Sequence, residues 1–146
     1  MLRCIRIQNH ALIHEVEMTL DEGFHVFTGE TGSGKSILLG AIGLLLGDRA
    51  DTTTVGLHGD RAIVEGEFVA PQLKSWLTLS DLPPTRAVSV RREVLRNGRS
   101  RVFINDAQAT VGQLKELGSQ LVHIHRQDDL GASLERPSLT RVLDIA

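Results

Sequence analysis

The chain has 146 residues, a formal net charge of -2 and a single cysteine, Cys4. The length suits one domain with a buried core, and 41% hydrophobic with 23% charged residues is ordinary globular composition. One cysteine excludes an intrachain disulfide, and an aromatic content of 3% argues against a platform that stacks single-stranded bases. The small net charge means that any contact with nucleic acid must come from a local patch. Since the sequence has no signal-peptide core and no apolar run of bilayer length, we expect a soluble, cytoplasmic protein with no membrane partner.

The first part of the chain is predicted to form three short strands before any helix. Apolar residues indicate strands over Leu2 to Ile7 and Leu12 to Leu20, with a break at Asn9-His10 between them. A turn at Asp21-Glu22-Gly23 then precedes a third strand from Phe24 to Thr28.

Residues 29–36 read Gly-Glu-Thr-Gly-Ser-Gly-Lys-Ser, a complete G-x-x-x-x-G-K-[ST] phosphate-binding loop. A predicted strand precedes the loop and an apolar helix from Lys35 to a cap at Gly47 follows it, which is the context in which this pattern binds nucleotide phosphates. We predict that Lys35 contacts the β- and γ-phosphates as a catalytic residue and that the Ser36 hydroxyl ligates Mg²⁺. The alternative is an ordinary glycine-rich turn before Lys-Ser. The predicted nucleotide-binding residues are Gly29, Glu30, Thr31, Gly32, Ser33, Gly34, Lys35, Ser36 and Ile37.

The remaining elements are short and separated by turn signals. A polar loop over 48–60 follows the first helix. Asn97-Gly98 is the strongest hairpin signal in the chain, and Thr110 is a candidate helix cap. In chain order we predict a strand from Arg61 to Val69, a short helix from Pro71 to Leu77, strands Val88 to Leu95 and Arg101 to Ile104, a helix from Thr110 to Leu117 stopped by Gly118, a strand from Leu121 to Ile124, and a helix beginning after Pro137.

An arginine cluster surrounds the predicted hairpin. It could form a basic ridge that contacts nucleic-acid phosphates. The alternative is a solvated ribbon whose charges keep an edge from pairing, and we favour it because Glu93 interleaves with the cluster and the whole chain is slightly acidic. The cluster consists of Arg86, Arg91, Arg92, Arg96, Arg99 and Arg101.

The second half of the chain lacks a convincing acidic site. A P-loop ATPase needs an aspartate after a buried strand to hold Mg²⁺, and the nearest candidates, Val102–Asp106 and Val142–Asp144, do not fit that pattern. No Asn-Lys-x-Asp motif is present, which argues against a GTPase. His123 and His125 lie on one face of the last strand, but without a third ligand at a telling spacing they predict nucleotide-facing polar groups rather than a metal site.

Five segments together resemble the N-terminal head segment of the RecN family, bacterial double-strand-break repair proteins related to the SMC chromosome-organising ATPases. The resemblance implies an α/β P-loop NTPase fold, namely the N-terminal lobe of an ABC/SMC-type head, with a mixed sheet carrying the loop and a small antiparallel β subdomain. The segments are Leu2 to Ile13, Thr28 to Leu38, Leu44 to Asp51, Arg96 to Asn105 and Leu121 to Gln127.

The same resemblance implies a function and a set of partners. It implies binding of ATP and Mg²⁺, a dimer of two heads around the nucleotides, and action on DNA ends or single strands in the nucleoid. Gln127 aligns with the family's Q-loop glutamine, which contacts Mg²⁺ and the water near the γ-phosphate, although His123 and Arg126 depart from the family pattern. The family head is completed by a C-terminal half after a long coiled coil.

We therefore expect residues 1–146 to form one incomplete lobe, with the coiled-coil helix starting within 136–146 and no ATP hydrolysis by the chain alone. Two alternatives remain open at this point. The chain could be a self-contained small P-loop kinase or NTPase, or a non-enzymatic interaction module that retains the loop.

Overall fold

A six-stranded antiparallel sheet dominates the computed structural model, which describes residues 1–23, 34–50, 52–124 and 143–145. Neighbours in the sheet are mostly neighbours in sequence, in the order β2-β1-β3-β4-β5-β6. The strands are β1 (Leu2–His10), β2 (Ile13–Thr19), β3 (Arg61–Val69), β4 (Ala87–Leu95), β5 (Ser100–Ile104) and β6 (Ala107–Ala109).

Three α-helices lie in the described part of the chain, and none of the helices there is long and apolar enough to cross a membrane. Two further short strands form a separate antiparallel pair. The helices are α1 (Gly34–Leu45), α2 (Lys74–Leu79) and α3 (Val111–Leu121), with 3-10 turns at Thr52–Thr54 and Pro71–Leu73, and the strand pair is β7 (Val122–Ile124) with β8 (Leu143–Ile145).

One face of the large sheet forms the core. In β3, Ala62, Val64 and Phe68 are buried as the alternating pattern predicts, and Gly66 between them accommodates the Leu45 side chain of α1. Helix α1 packs on β1, β3 and β4, and α3 packs on β5. The helix that follows the predicted phosphate loop is therefore held against the inner face of this sheet.

The C-terminal end of α1 meets α3 at a glycine contact. A Cβ on Gly118 would lie 2.6 Å from the carbonyl oxygen of Leu46, and a Cβ on Gly47 would lie 2.6 Å from Cγ of Lys115. The prediction that Gly118 stops α3 is wrong, since the helix continues to Leu121. The glycine serves close helix packing rather than a helix end.

The predicted break at Asn9-His10 is also wrong, because β1 continues through both residues. Asn9 adopts a φ of +49°, and its side chain forms hydrogen bonds with three backbone groups of residues 58–61. Its Nδ2 donates to the carbonyls of Gly59 (3.2 Å) and Arg61 (2.9 Å), and its Oδ1 accepts the N–H of His58 (2.8 Å). The asparagine thus fastens the end of β1 to the loop before β3.

Other expectations have mixed outcomes. The hairpin at Asn97-Gly98 is confirmed, with Gly98 at a φ of +87°, and Thr110 caps α3 as predicted.

The sequence does not predict strand β6. Where it predicts a coiled-coil helix, Leu143–Ile145 pairs with β7 as a strand, because backbone pairing with a neighbouring strand prevails there over local helix propensity. Residues 125–142 and Ala146, like the predicted strand from Phe24 to Thr28, lie outside the described residues.

Candidate nucleotide-binding site

The first helix begins at Gly34, the last glycine of the predicted phosphate loop. In its first turn the Ser36 side chain is exposed and Ile37 is half-buried. The backbone of Lys35 is part of this turn, while its side chain lies outside what the structure describes. Also outside the described residues are Gly29, Glu30, Thr31, Gly32, Ser33 and Gln127.

The chemistry of this helix end fits a nucleoside triphosphate and Mg²⁺. The first N–H groups of a helix have no partner within the helix, and together with the helix dipole they favour an anion. The first turn of α1 carries no acidic residue that would compete with a phosphate. The exposed hydroxyl of Ser36 is the kind of hard oxygen ligand that Mg²⁺ prefers.

The other end of α1 is closed by a Schellman motif, which confirms the predicted cap at Gly47. Gly47 has a φ of +96° and donates its N–H to the carbonyl of Leu44 at 3.3 Å, while Asp48 donates to the carbonyl of Gly43 at 2.9 Å. The last turn of α1 contains no basic residue of its own.

A buried arginine from β4 supplies the positive charge at the C-terminal end of α1 instead. Arg92 is 2% exposed and follows the inward positions of Val88 and Val90. Its Nη1 donates to the carbonyl of Leu44 at 3.0 Å and to the carbonyl of Asp48. Burial lowers the pKa of Arg92, and the negative charge of Asp48 opposes that shift. The guanidinium therefore lies on the carbonyl end of α1, where a cation is favourable.

The signal in the sequence that identifies Arg92 is its position in the strand pattern. Valines occupy the inward positions at 88, 90 and 94, and the arginine stands in the middle of that alternation. The neighbouring arginines hide this pattern, because in the sequence Arg92 looks like one more member of a cluster of surface arginines. A charged residue on the apolar face of a strand needs buried partners, and this one has them.

A second polar side chain contacts the beginning of α1. His10, at the end of β1, is 7% exposed and hydrogen-bonds to the backbone of Ile37. Burial lowers its pKa, and the hydrogen bond to Ile37 opposes this in part. Its Nδ1 is buried and has no hydrogen-bond partner among the described residues. Burial therefore disfavours the charged form of the imidazole beside the first turn of the helix.

An exposed apolar patch surrounds the tip of the β1–β2 hairpin. Leu12 is 84% exposed and Leu57 is 94% exposed. Next to them the imidazoles of His14 and His58 stack, with their centroids 4.1 Å apart. Since Asn9 fixes the His58 backbone, this patch has a defined geometry on the same hairpin that contacts α1.

Most side chains of the arginine cluster have partners within the molecule. The carboxylate of Glu93 is 9% exposed and pairs with Arg91 (3.5 Å) and Arg101 (4.0 Å), and Arg91 also stacks on Phe103. Arg96 donates to the carbonyl of Gly56 at 2.9 Å. Together with the buried Arg92, four of the six arginines thus have side-chain partners, although Arg96 and Arg101 are exposed like Arg86 and Arg99. These contacts favour the solvated-ribbon interpretation over a basic ridge.

The outer face of the sheet carries a separate cavity of about 210 Å³, which Cys4, Glu65, Arg91 and others line. Burial and the neighbouring Glu17, Glu67 and Glu65 raise the pKa of Cys4. This cavity opens on the face opposite to α1, so it does not contribute to the phosphate-loop site.

The remaining predicted positions contribute no described contact to the site. The Val102–Asp106 candidate ends at a tight turn between β5 and β6, where Asn105 and Asp106 have positive φ angles, so Asp106 does not follow a buried strand toward α1. The side chains of His123 and Asp144 and all of His125 and Arg126 lie outside what the structure describes. Among the described residues, no group of three or more His, Cys, Asp or Glu could hold a metal ion.

Comparisons with known proteins identify relatives. A family model described as AAA domain matches residues 4–133. The DNA repair protein RecN of Xylella fastidiosa (strain 9a5c) is 35% identical over 147 residues, which covers 99% of this chain and 26% of that protein. RecN of Haemophilus influenzae (strain ATCC 51907 / DSM 11121 / KW20 / Rd) is 38% identical, over 87% of this chain and 24% of that protein. The chain thus spans about a quarter of the length of the curated relatives it matches.

Solved structures share the fold. The Smc head domain with an extended coiled coil from Pyrococcus furiosus, bound to the C-terminal domain of ScpA, is similar with a TM-score of 0.74 at 19% identity, over 96% of this chain and 39% of that one. The recombination mediator RecF with ATP gives a TM-score of 0.68 at 22% identity, over 94% of this chain and 35% of that one. The chain therefore shares the fold of these Smc head and RecF structures over most of its length. The chain belongs to the AAA domain family, and within it the chain resembles the N-terminal ATPase-head segment of RecN.

Proposed function

We propose that this chain binds Mg-ATP through the loop Gly29–Ser36 and serves as the ATP-binding segment of a RecN-like ATPase in the repair of DNA double-strand breaks. The observation that carries the proposal is the start of α1 at Gly34, the second glycine of the G-x-x-x-x-G-K-S pattern, with no acidic residue in the first turn and an exposed Ser36. The AAA domain match and the RecN relatives support the same assignment over a self-contained kinase.

In the proposed site each group has a distinct role. The backbone N–H groups of residues 29–34 surround the β-phosphate, Lys35 contacts the β- and γ-phosphates, and Ile37 closes the first turn. Ser36 and Gln127 are the proposed Mg²⁺ ligands, and Gln127 also orients the water near the γ-phosphate. Bound Mg²⁺ supplies charge stabilisation for phosphoryl transfer.

The partners follow from the same proposal. They are the C-terminal half of a RecN-type head, a second head across the nucleotides, and DNA ends or single strands. The relatives are named DNA repair proteins, and one solved neighbour is described by ATP-driven dimerisation and DNA-stimulated activation of SMC ATPases. The proposed location is the cytoplasm, at the nucleoid.

The test is calorimetric titration of Mg-ATP into the chain and into Lys35→Ala. Because Lys35 supplies the positive charge on the phosphates, we expect the variant to bind at least about tenfold more weakly. Lys74→Ala is the matched control, since Lys74 is exposed on α2 and its loss removes the same charge away from α1.

Circular dichroism should show that both variants keep the wild-type fold. Equal affinity for Mg-ATP in wild type and Lys35→Ala would refute the phosphate-loop assignment. An equal loss in Lys74→Ala would show that only net charge matters.

A further inference from the structure

Helix α1 is attached to the antiparallel sheet by polar side chains at both ends. His10 of β1 contacts the backbone of Ile37 in the first turn, and Arg92 of β4 holds the carbonyls of Leu44 and Asp48 at the last turn. A helix of 12 residues is about 18 Å long, and it moves as a rod because its backbone hydrogen bonds are internal. Contacts at the last turn therefore also determine where the first turn lies.

Arg92 is the stronger of the two attachments. It makes two bonds to α1 and its C-terminal turn, and its Nη2 lies 3.4 Å from Oγ of Ser100 on β5. Its neighbours across the sheet, Val64 and Val102, are both buried and apolar. A guanidinium in such surroundings is costly unless its donors are used, and the carbonyls at the end of α1 are the acceptors it finds.

The surroundings of this contact leave little freedom for the helix end. Gly66 of β3 lies under Leu45, and Gly118 of α3 lies against the carbonyl of Leu46. With these close approaches, a change in the length or direction of the Arg92 side chain shifts the whole rod rather than one residue.

We propose that Arg92 is a positioning residue for the phosphate loop, acting through α1 to set where its first turn lies relative to the bound nucleotide. The inference rests on the proposed ATP binding and goes beyond it, because it gives the antiparallel sheet a part in nucleotide affinity. It also assigns one arginine of the hairpin cluster to the nucleotide site rather than to nucleic acid.

The test separates position from stability with three variants. Arg92→Met keeps the aliphatic length but removes every donor, Arg92→Lys keeps the charge with a single donor group, and Leu77→Ala removes a fully buried side chain of α2 while leaving the Arg92 contacts in place. The melting temperature and the Kd for Mg-ATP are measured for each, at a temperature at which circular dichroism shows every variant folded.

We expect Arg92→Met to raise the Kd at least about tenfold, Arg92→Lys to raise it less, and Leu77→Ala to leave it unchanged despite a comparable fall in melting temperature. If Arg92→Met does not fold, Arg92→Lys against Leu77→Ala gives the same comparison. Unchanged affinity in the folded Arg92 variants overturns the proposal, and so does a loss that Leu77→Ala shares.

Hydrogen exchange distinguishes a failure of the Arg92 proposal from a failure of the proposed ATP binding. If the wild-type chain binds no ATP, the proposed function fails, and the amides of Leu38 to Ile42 still report on the helix. Faster exchange there in Arg92→Lys than in Leu77→Ala supports the positioning role, and equal exchange overturns it.

Discussion

His10 and Arg92 occupy positions on the inner face of the sheet where an apolar side chain would stabilise the protein more simply. Both are at most 7% exposed, and both hold backbone groups of the same helix. Burying polar groups costs free energy that their hydrogen bonds only offset, and each side chain leaves one ring or guanidinium nitrogen unpaired among the described residues. These buried polar side chains therefore lower the stability of the fold and at the same time define the position of α1.

The lowered pKa of His10 predicts how stability depends on pH. Because burial lowers the folded-state pKa below that of the unfolded chain, the unfolded chain takes up a proton first as the pH falls. The contribution of His10 is fully present above about pH 6.5 and is lost as the pH falls below it, by at most about 1.4 kcal/mol per pH unit. The free energy of unfolding should therefore fall more steeply between about pH 7.5 and 5.5 in wild type than in His10→Leu.

Denaturant titrations at a series of pH values measure this difference. The other five histidines are present in both proteins, so the difference between the two slopes isolates the contribution of His10. A steeper slope in His10→Leu would contradict the prediction, because it would mean that the hydrogen bond to Ile37 outweighs burial in setting the pKa of His10.

At the scale of elements, the crossing of α1 and α3 depends on glycine. The Cβ of any other residue at 118 would meet the Leu46 backbone, which cannot rotate away as a side chain can. At the start of the same helix, Thr110 and Gln113 form a reciprocal cap, with Gln113 N–H to Thr110 Oγ1 and Thr110 N–H to Gln113 Oε1 both at 3.0 Å. The reciprocal cap therefore stabilises the start of α3. Farther along the helix, Gly118 allows its close approach to Leu46.

Gly118→Ala and Gly112→Ala should have opposite effects on stability. A Cβ at Gly112 would have its nearest neighbour, Oγ1 of Thr110, at an ordinary 3.7 Å, so this variant should gain roughly 0.4–1 kcal/mol from reduced freedom of the unfolded chain. Gly118→Ala should instead lose about 1–3 kcal/mol through overpacking. Denaturant unfolding of the two variants measures both values, and a stabilised Gly118→Ala would contradict the close approach of α1 and α3.

Elements with a strong local signal are predictable from sequence, and those set by distant contacts are not. The alternation in β3, the hairpin at Asn97-Gly98 and the cap at Thr110 depend on residues near one another in the chain. By contrast, β6 is Ala-Gln-Ala, which has little preference for a strand and pairs only because β5 lies beside it. Arg92 likewise looks like a surface residue in the sequence because its partners are 44 and 48 residues away.

At the scale of the whole molecule, the sequence carries the phosphate-loop motif, and the described residues place no acidic site beside α1. In the site, the helix after the loop motif and its cap at Gly47 are predictable, since each depends on a local pattern, while the loop itself stays a prediction. The contributions of β1 and β4 are not, because they depend on how the sheet packs against the helix. Lys35, Ser36 and Gln127 are the groups proposed to hold the triphosphate and Mg²⁺, and none of them is a second acidic ligand or a general base.

We therefore expect the 146-residue chain to bind ATP but to hydrolyse it no faster than background. Positioning and charge stabilisation supply nearly all the rate of phosphoryl transfer, so an incomplete set of groups should be very slow. A steady-state phosphate-release assay tests this, and adding the C-terminal half of a RecN-type head should restore turnover. Lys35→Ala is the control for contaminating ATPases, and robust turnover that disappears in this variant would favour a self-sufficient enzyme.

The pairing of β1 with β3 has a consequence for how the polypeptide holds together. These strands lie side by side over Leu2 to Gln8, and the terminal amino group of Met1 also donates to the carbonyl of Val69 at 2.9 Å. In chain order α1 lies between β2 and β3, and β1 pairs with both of these strands. A chain severed once between β2 and α1 would thus remain a single noncovalent body, with the β1–β2 piece seated on β3 and His10 still against α1. The division falls where two separately produced fragments could reconstitute the lobe by strand pairing.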